Sequence, residues 1–348
     1  MDEIVLVPVH QHTNEEVEKK GDVLLKKPPL FRDATRPMFT SLELEDLFSH
    51  PLHYTFRKIQ VIGKGAFAKV YLARIHDRPD KGFFAIKITE NVSKNPKTVH
   101  HLANEILLME KCRNHDNIVK YFATHRYSVR DEIWMVMEYC TCSLQDLLVG
   151  DLGEKYIRLF TFQLLNALSF LAQNSIVHRD FKSANVLVKV DESSNDIMVK
   201  LADFGLAVVV NGPRSGKSVC GSRFWMAPEM LKNEGYGCKA DLWALGCVMF
   251  EMMDTSPPYY EHNSIKAMFY TVTKGAASIR QPHRWTTQMH DFLGAIFQVD
   301  PDARPSADEL LKHPWVNNKE LHNMDHSQMK DILRSASFMK IFDTSVYV

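Results

Sequence analysis

The sequence predicts an α+β protein in two parts, a small antiparallel sheet with one helix followed by a larger, mainly helical part. Five short runs between Phe56 and Tyr139, IQVIG, AKVYLARI, FFAIKI, IVKYFATHRY and EIWMVMEYC, are rich in Val, Ile, Tyr and Phe, the composition of strands. One helical pattern interrupts them, VHHLANEILLMEKC, in which Leu102, Ile106 and Met109 recur at i, i+4 and i+7 and mark one buried face. From Ser143 onward helical patterns dominate: SLQDLL, YIRLFTFQLLNALSFLAQ, ADLWALGCVMFEMM, MHDFLGAIFQ and SADELLKH.

Taken in order, residues 1–53 mix charges, prolines and short apolar patches without a sustained period, which predicts a flexible extension with one short helix, SLELEDLF at 41–48. Residues 54–139 form the strand-rich part and 140–316 the helical part, the latter interrupted by a loop-rich stretch from 178 to 229. Residues 317–348 read as a polar helical extension. No repeat of fixed period is visible.

Composition narrows the function classes. The 348 residues carry 42 Lys+Arg against 42 Asp+Glu and are 45% hydrophobic, which excludes collagenous, low-complexity and wholly disordered chains. Zero net charge gives no global attraction to nucleic acid. The opening MDEIVLVPVH has acids where a secretory leader has bases, and the most hydrophobic stretch, ALGCVMFEMM at 244–253, contains Glu251 and is too short to span a bilayer. Six cysteines without CxxC spacing suit a reducing compartment, cytoplasmic or alternatively nuclear. The Cys140/Cys142 pair and the short-range histidine pairs His10/His12 and His100/His101 lack the partners of a metal motif.

Gly63, Gly65 and Val70 in GKGAFAKV lie at a turn between two expected strands, where a backbone without Cβ can approach phosphates. A dinucleotide-binding turn would run into a helix, whereas this one runs into AKVYLARI. FAIK at 84–87 ends in a lysine inside an apolar strand, and a buried ammonium needs an anion. Glu105, beside the apolar stripe of the helix, is the expected partner of Lys87; Glu110, on a different face, is the alternative.

HRDFKSAN at 178–185, DFG at 203–205 and APE at 227–229 then follow in order. With these motifs the sequence resembles the eukaryotic protein kinases over residues 54–316. The resemblance implies a bilobal fold with ATP and Mg²⁺ in the cleft. Asp180 would orient the substrate hydroxyl and accept its proton, and Lys182 would reach the transferring phosphate. Asn185 and Asp203 would hold Mg²⁺, while Lys87, positioned by Glu105, would hold the α- and β-phosphates. Ile62, Gly63, Lys64, Gly65, Ala66, Val70, Ala85 and Leu187 would enclose the nucleotide. Glu138 and Cys140 would offer backbone groups to adenine, with Met137 behind it. Glu229 would pair with Arg304, and Asp241 would tie the loop 178–185 from below.

KSAN, WMAPE, DLWALGCVMFEMM, SPPY and HPW resemble the serine/threonine kinases of the STE group, with PAK-type kinases close through EIWMVMEY and SIKAMFYTVTKG. Three departures stand out: Ala68 replaces the third loop glycine, Arg223 replaces the usual Pro after Ser222, and no GTPase-binding motif is visible in residues 1–53. Ala184 stands where basic-directed kinases often carry an acid, which argues against arginine selection there. By resemblance Ser218, with Ser215 as the alternative, is the activating phosphosite. Its phosphate would meet Arg179 and His101 and would come from an upstream kinase or from a second copy of the chain. Protein substrates are expected partners, nucleic acid and a transmembrane segment are not. A catalytically silent scaffold and a small-molecule phosphotransferase are the alternative functions.

Overall fold

Alternating Val, Ile and aromatic residues build the first sheet. The computed structural model describes residues 47–48, 54–65, 68–92, 96–148, 152–190, 196–317, 326–327, 329–330 and 333. Strands β1 (Phe56–Lys64), β2 (Ala68–Ile75), β3 (Phe83–Glu90), β4 (Tyr121–Tyr127) and β5 (Glu132–Glu138) assemble in the order β1-β2-β3-β5-β4. β1, β2 and β3 pair antiparallel, with Gly63 opposite Val70 and Val70 opposite Lys87. Because side chains alternate across a strand, Val70, Leu72, Ala85 and Lys87 share one face. The other face carries an apolar cluster of Phe56, Ala73, Ile75, Ile86, Ile88, Trp134 and Val136. Helix α1 (Pro96–Cys112) buries Leu102, Ile106 and Met109, the stripe read from the sequence.

The chain divides into two units, one of residues up to 106 with 122–137, the other of 107–121 with 138 onward. The run IVKYFATHRY is therefore split: β4 starts only at Tyr121, and Ile118 pairs in parallel with Leu201 of the second unit. Elements of that second unit begin with β6 (Cys142–Ser143) and α2 (Leu144–Leu147), followed by α3 (Glu154–Gln173) and β7 (Ile176–Val177). Next come β8 (Val186–Val190), β9 (Ile197–Leu201), β10 (Val208–Val209), α4 (Pro228–Leu231) and α5 (Lys239–Asp254). α6 (Ser264–Lys274), α7 (Thr287–Ile296) and α8 (Ala307–Leu310) complete it. β6, β8 and β9 form a three-stranded sheet, and β7 pairs with β10. The β8–β9 hairpin lies inside the stretch expected to be loop, and α6 is a helix the periodicity reading did not assign. Of the helix expected at 41–48, Leu47 and Phe48 are described and helical; the remainder of 1–53 and most of 317–340 lie outside the described residues.

α5 is buried on every side from Ala240 to Met253, the pattern of a helix at the centre of a core rather than on its surface. It packs with α3 and carries two buried acids, Asp241 and Glu251. A third, Glu229 in α4, accepts from Arg304 Nη1 at 2.8 Å and Nη2 at 3.1 Å, both side chains being essentially inaccessible. Arg304 also donates to the carbonyls of Lys239 and Gln298, so its guanidinium is well satisfied. Arg304→Met leaves Glu229 buried without its cation and is expected to lower the unfolding free energy by about 3–5 kcal/mol. The double variant Glu229→Met/Arg304→Met should recover much of that loss in urea or thermal denaturation; equal losses in both would contradict the assignment.

Candidate active site

In the first unit the β1–β2 turn closes through Gly65 N donating to Ala68 O at 2.8 Å. Neither Gly63 nor Gly65 has a positive φ, and a Cβ at either would make only ordinary contacts at 3.5 Å. The hairpin itself thus does not demand glycine at either position. Ile62 and Val70 are half-buried, Lys64 is exposed, and Ala85 is buried in β3; Ala66 lies outside the described residues. Lys87 Nζ donates to Glu105 Oε1 at 2.6 Å, with side chains 19% and 6% exposed. Glu110 instead pairs with Arg113 at 2.7 Å, which settles the alternative in favour of Glu105. His101 is exposed one turn earlier in α1, and Met137 is half-buried near the end of β5.

The second unit builds a denser network. Asp241 accepts from the amides of His178 at 2.7 Å and Arg179 at 3.0 Å. Complete burial pushes its carboxyl up, opposed by His178 and the two amides. Arg179 is held at φ +68, a left-handed conformation unusual for a non-glycine residue. The turn presents Asp180, whose Oδ1 accepts from Ser222 Oγ at 2.7 Å and whose Oδ2 accepts from Lys182 Nζ at 2.8 Å and Asn185 Nδ2 at 3.0 Å. Lys182 also donates to Ser222 Oγ at 2.9 Å. Gly221, at φ +110, lies so close that a Cβ would meet Arg179 O at 2.1 Å, so only glycine allows this approach.

Glu251 ties the same loop from a second point on α5. It accepts from Ser183 N and Oγ and from Trp225 Nε1 at 2.7 Å, which links residues 183 and 225. Burial pushes its carboxyl up against the Ser183 and Trp225 hydrogen bonds.

Cation ligation fits the donor chemistry here. Asn185 spends its amide hydrogens on the carbonyl and carboxylate of Asp180, so its carbonyl oxygen is the group that would face a metal. Ala202 N donates to Asn185 O at 2.8 Å, which ties Asn185 to the residue preceding exposed Asp203 at φ +63. Among the described residues no cluster of three or more His, Cys, Asp or Glu could cage a metal. An amide and a carboxylate oxygen are hard ligands suited to Mg²⁺ completed by phosphate and water.

Glu138 has a role that its sequence context concealed. Its backbone N donates to Lys120 O at 2.9 Å, while its carboxylate accepts from Lys120 N at 2.6 Å, Lys200 Nζ at 2.9 Å and Lys189 Nζ at 3.0 Å. Lys200 also donates to Asp116 O at 2.6 Å and lies three residues before Asp203. Cys140 is buried, its thiol pushed up to about 12 chiefly by burial. Leu187 pairs with Ser143 across β8 and β6. Alternating apolar and cationic residues in VLVKV and MVKL were the available signal for the two lysines.

The segment 203–229 is fastened by backbone contacts. Gly216 and Tyr236 exchange backbone hydrogen bonds at 2.9 and 3.0 Å, and Cβ atoms at Gly216, Gly235 and Gly237 would collide with Tyr236, Arg214 and Pro213. Arg214 reaches Asp302 at 2.7 Å. Arg179 donates to Leu206 O at 2.5 Å and to Tyr236 Oη at 3.1 Å, and Tyr236 Oη donates to Ser218 O at 2.9 Å. Ser218 is exposed. Ser215 Oγ is already engaged, accepting from Asn211 N and donating to Gly212 O.

Burial pushes the Glu138 carboxyl up, but the Lys200 ammonium and the surrounding hydrogen bonds outweigh it and hold the group below its ordinary 4.5. A depressed carboxylate contributes stability that is complete above its ordinary value and is lost as pH falls through the depressed one. Glu138→Gln is therefore expected to lose roughly 2–3 kcal/mol at neutral pH and to show a flatter decline of stability below pH 4.5. Parallel acid limbs in chemical denaturation would contradict this.

The protein kinase domain family model matches residues 56–316. A probable serine/threonine-protein kinase mkcC of Dictyostelium discoideum is 37% identical over 267 residues, 76% of this chain and 28% of that protein. Serine/threonine-protein kinase PAK 1 of Mus musculus is 36% identical over 264 residues, 75% of this chain and 46% of its own length. Mitogen-activated protein kinase kinase kinase A of D. discoideum is 36% identical over 286 residues, 79% of this chain and 29% of that protein. The chain thus spans less than half the length of these curated relatives. Matches that run through both units, from the first strand to the end of the helical part, leave a single assignment: the chain belongs to the eukaryotic protein kinase family, of serine/threonine type and STE group.

Proposed function

We propose that this chain is an ATP-dependent protein kinase that transfers the γ-phosphate to serine or threonine hydroxyls of protein substrates, in a domain spanning 54–316 with extensions 1–53 and 317–348. The observation that carries this reading is the Asp180 carboxylate, held at both oxygens by Ser222, Lys182 and Asn185. Such a carboxylate is oriented before substrate arrives, the main requirement of phosphoryl transfer.

Asp180 accepts the proton of the substrate hydroxyl as that oxygen becomes the nucleophile. Lys182, already within reach of Asp180 and Ser222, places its charge beside the forming bond. Asn185 and Asp203 would hold Mg²⁺; when bound with ATP the ion neutralises phosphate charge. Lys87, oriented by Glu105, binds the α- and β-phosphates. Gly63, Gly65, Ile62, Lys64, Ala66, Val70, Ala85 and Leu187 enclose the nucleotide, and Met137, Glu138 and Cys140 receive adenine. Ser222 selects the aliphatic hydroxyl.

A phosphate on Ser218 switches the segment 203–229 within a signalling cascade, added by an upstream kinase or by another copy of the chain. Its exposure, together with the engaged hydroxyl of Ser215, supports Ser218 as the site. The Tyr236 bridge from Ser218 O to Arg179 supports Arg179 as the phosphate's partner, and His101 is the second partner on sequence grounds. No helix among the described residues is long and apolar enough to cross a membrane. All six cysteines are free thiols, which supports a cytoplasmic or nuclear location.

Transfer of labelled phosphate from Mg·ATP to the chain and to degenerate Ser/Thr/Tyr peptides tests the activity. Incorporation on Ser and Thr that falls by about 10³-fold or more in Asp203→Ala is expected. Absence of incorporation, even from chain phosphorylated at Ser218, would overturn the reading in favour of a silent scaffold. Ser218→Ala should lower peptide turnover by about tenfold or more, whereas Ser215→Ala should not; equal turnover in wild type and Ser218→Ala would contradict the switch.

A further inference from the structure

The charges around the Ser222 hydroxyl are not balanced. Glu251, the buried acid tied to both Ser183 and Trp225, is 5% exposed and has its carboxylate occupied by three donors. It has no face to offer a basic substrate side chain. Both Asp180 oxygens are likewise occupied. Neither acid is therefore placed to draw a cationic peptide.

Arg223 is the opposite case. It directly follows Ser222, is exposed, and donates from Nη1 to Ser264 Oγ at 3.1 Å. Among the described residues no carboxylate pairs with it. A guanidinium has five N–H donors, so a neutral hydroxyl fixes its position and leaves its other donors and its charge facing solvent. Ser264 opens α6, whose first turn contains no acid. Beside them Phe224 packs on Tyr260 with ring centroids 5.2 Å apart, an aromatic support that keeps residues 223–225 in place. Proline at position 223 would supply none of this charge.

We propose that Arg223 is a specificity-determining residue that selects acceptor sites carrying an anionic side chain next to the phosphorylated hydroxyl. This rests on the kinase reading above and adds a substrate class to it. A polypeptide laid past Ser222 advances about 3.4 Å per residue, which places the anion within about three residues of the acceptor. The anion is a carboxylate of Asp or Glu, or a phosphate left by an earlier phosphorylation; both match a guanidinium fork.

The test uses the full chain and fluorescein-labelled peptides with one central Ser among Ala and Gly, carrying Asp, phosphoserine, Ala or Lys at each of the three positions on either side. Binding by anisotropy and phosphate transfer are measured in parallel. At one or two positions the Asp or phosphoserine peptide should bind roughly three- to tenfold tighter than the Ala peptide, with the gain shrinking as salt rises. Preference for phosphoserine with none for Asp would assign the anion to prior phosphorylation. Arg223→Lys should keep part of the gain, Arg223→Ala should lose it, and Arg223→Glu should favour the Lys peptides, with melting temperatures matching wild type. A flat wild-type binding profile, or a profile unchanged in Arg223→Glu, overturns the proposal. Transfer with a flat profile would leave the kinase reading standing without this specificity, whereas an anion-selective binding profile without transfer would uphold the specificity and remove the activity.

Discussion

The carboxylate of Asp241, buried in the first turn of α5, is the constraint on which the site depends. A buried anion is expensive unless its lone pairs are met, and here two consecutive amides, His178 and Arg179, meet them. Satisfying both donors from one carboxylate forces the backbone to turn, and the left-handed φ of Arg179 is the consequence. That turn presents Asp180 to Ser222, Lys182 and Asn185. It also sends the Arg179 side chain toward Leu206 and Tyr236. One hydrogen-bonded carboxylate therefore sets both Asp180, the acid proposed to take the substrate proton, and the cation that a phosphate on the neighbouring segment would meet. Glu251, on the same helix, repeats the device for Ser183 and Trp225, so a helix buried on every side serves as the rigid base for two loops.

A second consequence concerns the segment 203–229. It is gripped by close backbone approach at Gly216, Gly221, Gly235 and Gly237, by the Arg214–Asp302 pair and by the Tyr236 hydroxyl. Most of these contacts are neutral and short-range, hence insensitive to salt. Among the exposed groups left over are Ser218 and Arg223, through which charge can act. Phosphate at the first and an anionic substrate at the second would each complete an electrostatic arrangement that the fold leaves open.

Much of this was legible in the sequence because it is local. β-Branched runs gave the strands, the 3.6-residue period gave α1, long apolar helical runs gave α3 and α5, and HRDFKSAN, DFG and APE marked the loops. The partnership of Lys87 with Glu105 was legible because only one helical face could be buried. What stayed hidden depends on residues far apart in the chain. Nothing near Glu138 announces Lys189 and Lys200, 51 and 62 positions on, since two lysines in strands read equally as solvated edges. Ser183 and Glu251 are 68 residues apart. The β8–β9 hairpin was obscured because its short apolar runs lie among polar motif residues, and α6 because its exposed Ile265 and Phe269 break the expected apolar-in, polar-out pattern. The division of IVKYFATHRY follows from Val119 N donating to Leu201 O, a pairing across 82 residues that no local pattern encodes.

Whether Asp241 orients Asp180 is tested by the steady-state kinetics of Asp241→Asn with Mg·ATP and a peptide substrate. The substitution keeps the side chain's size but replaces an acceptor pair with one acceptor and one donor, so one of the two amides of His178 and Arg179 loses its partner. The expected result is a kcat reduced by about tenfold or more, with a KM for ATP within about twofold of wild type because Lys87 and Glu105 are untouched, and full recovery of the wild-type kcat on reverting the residue. A wild-type kcat in a folded Asp241→Asn protein would contradict it.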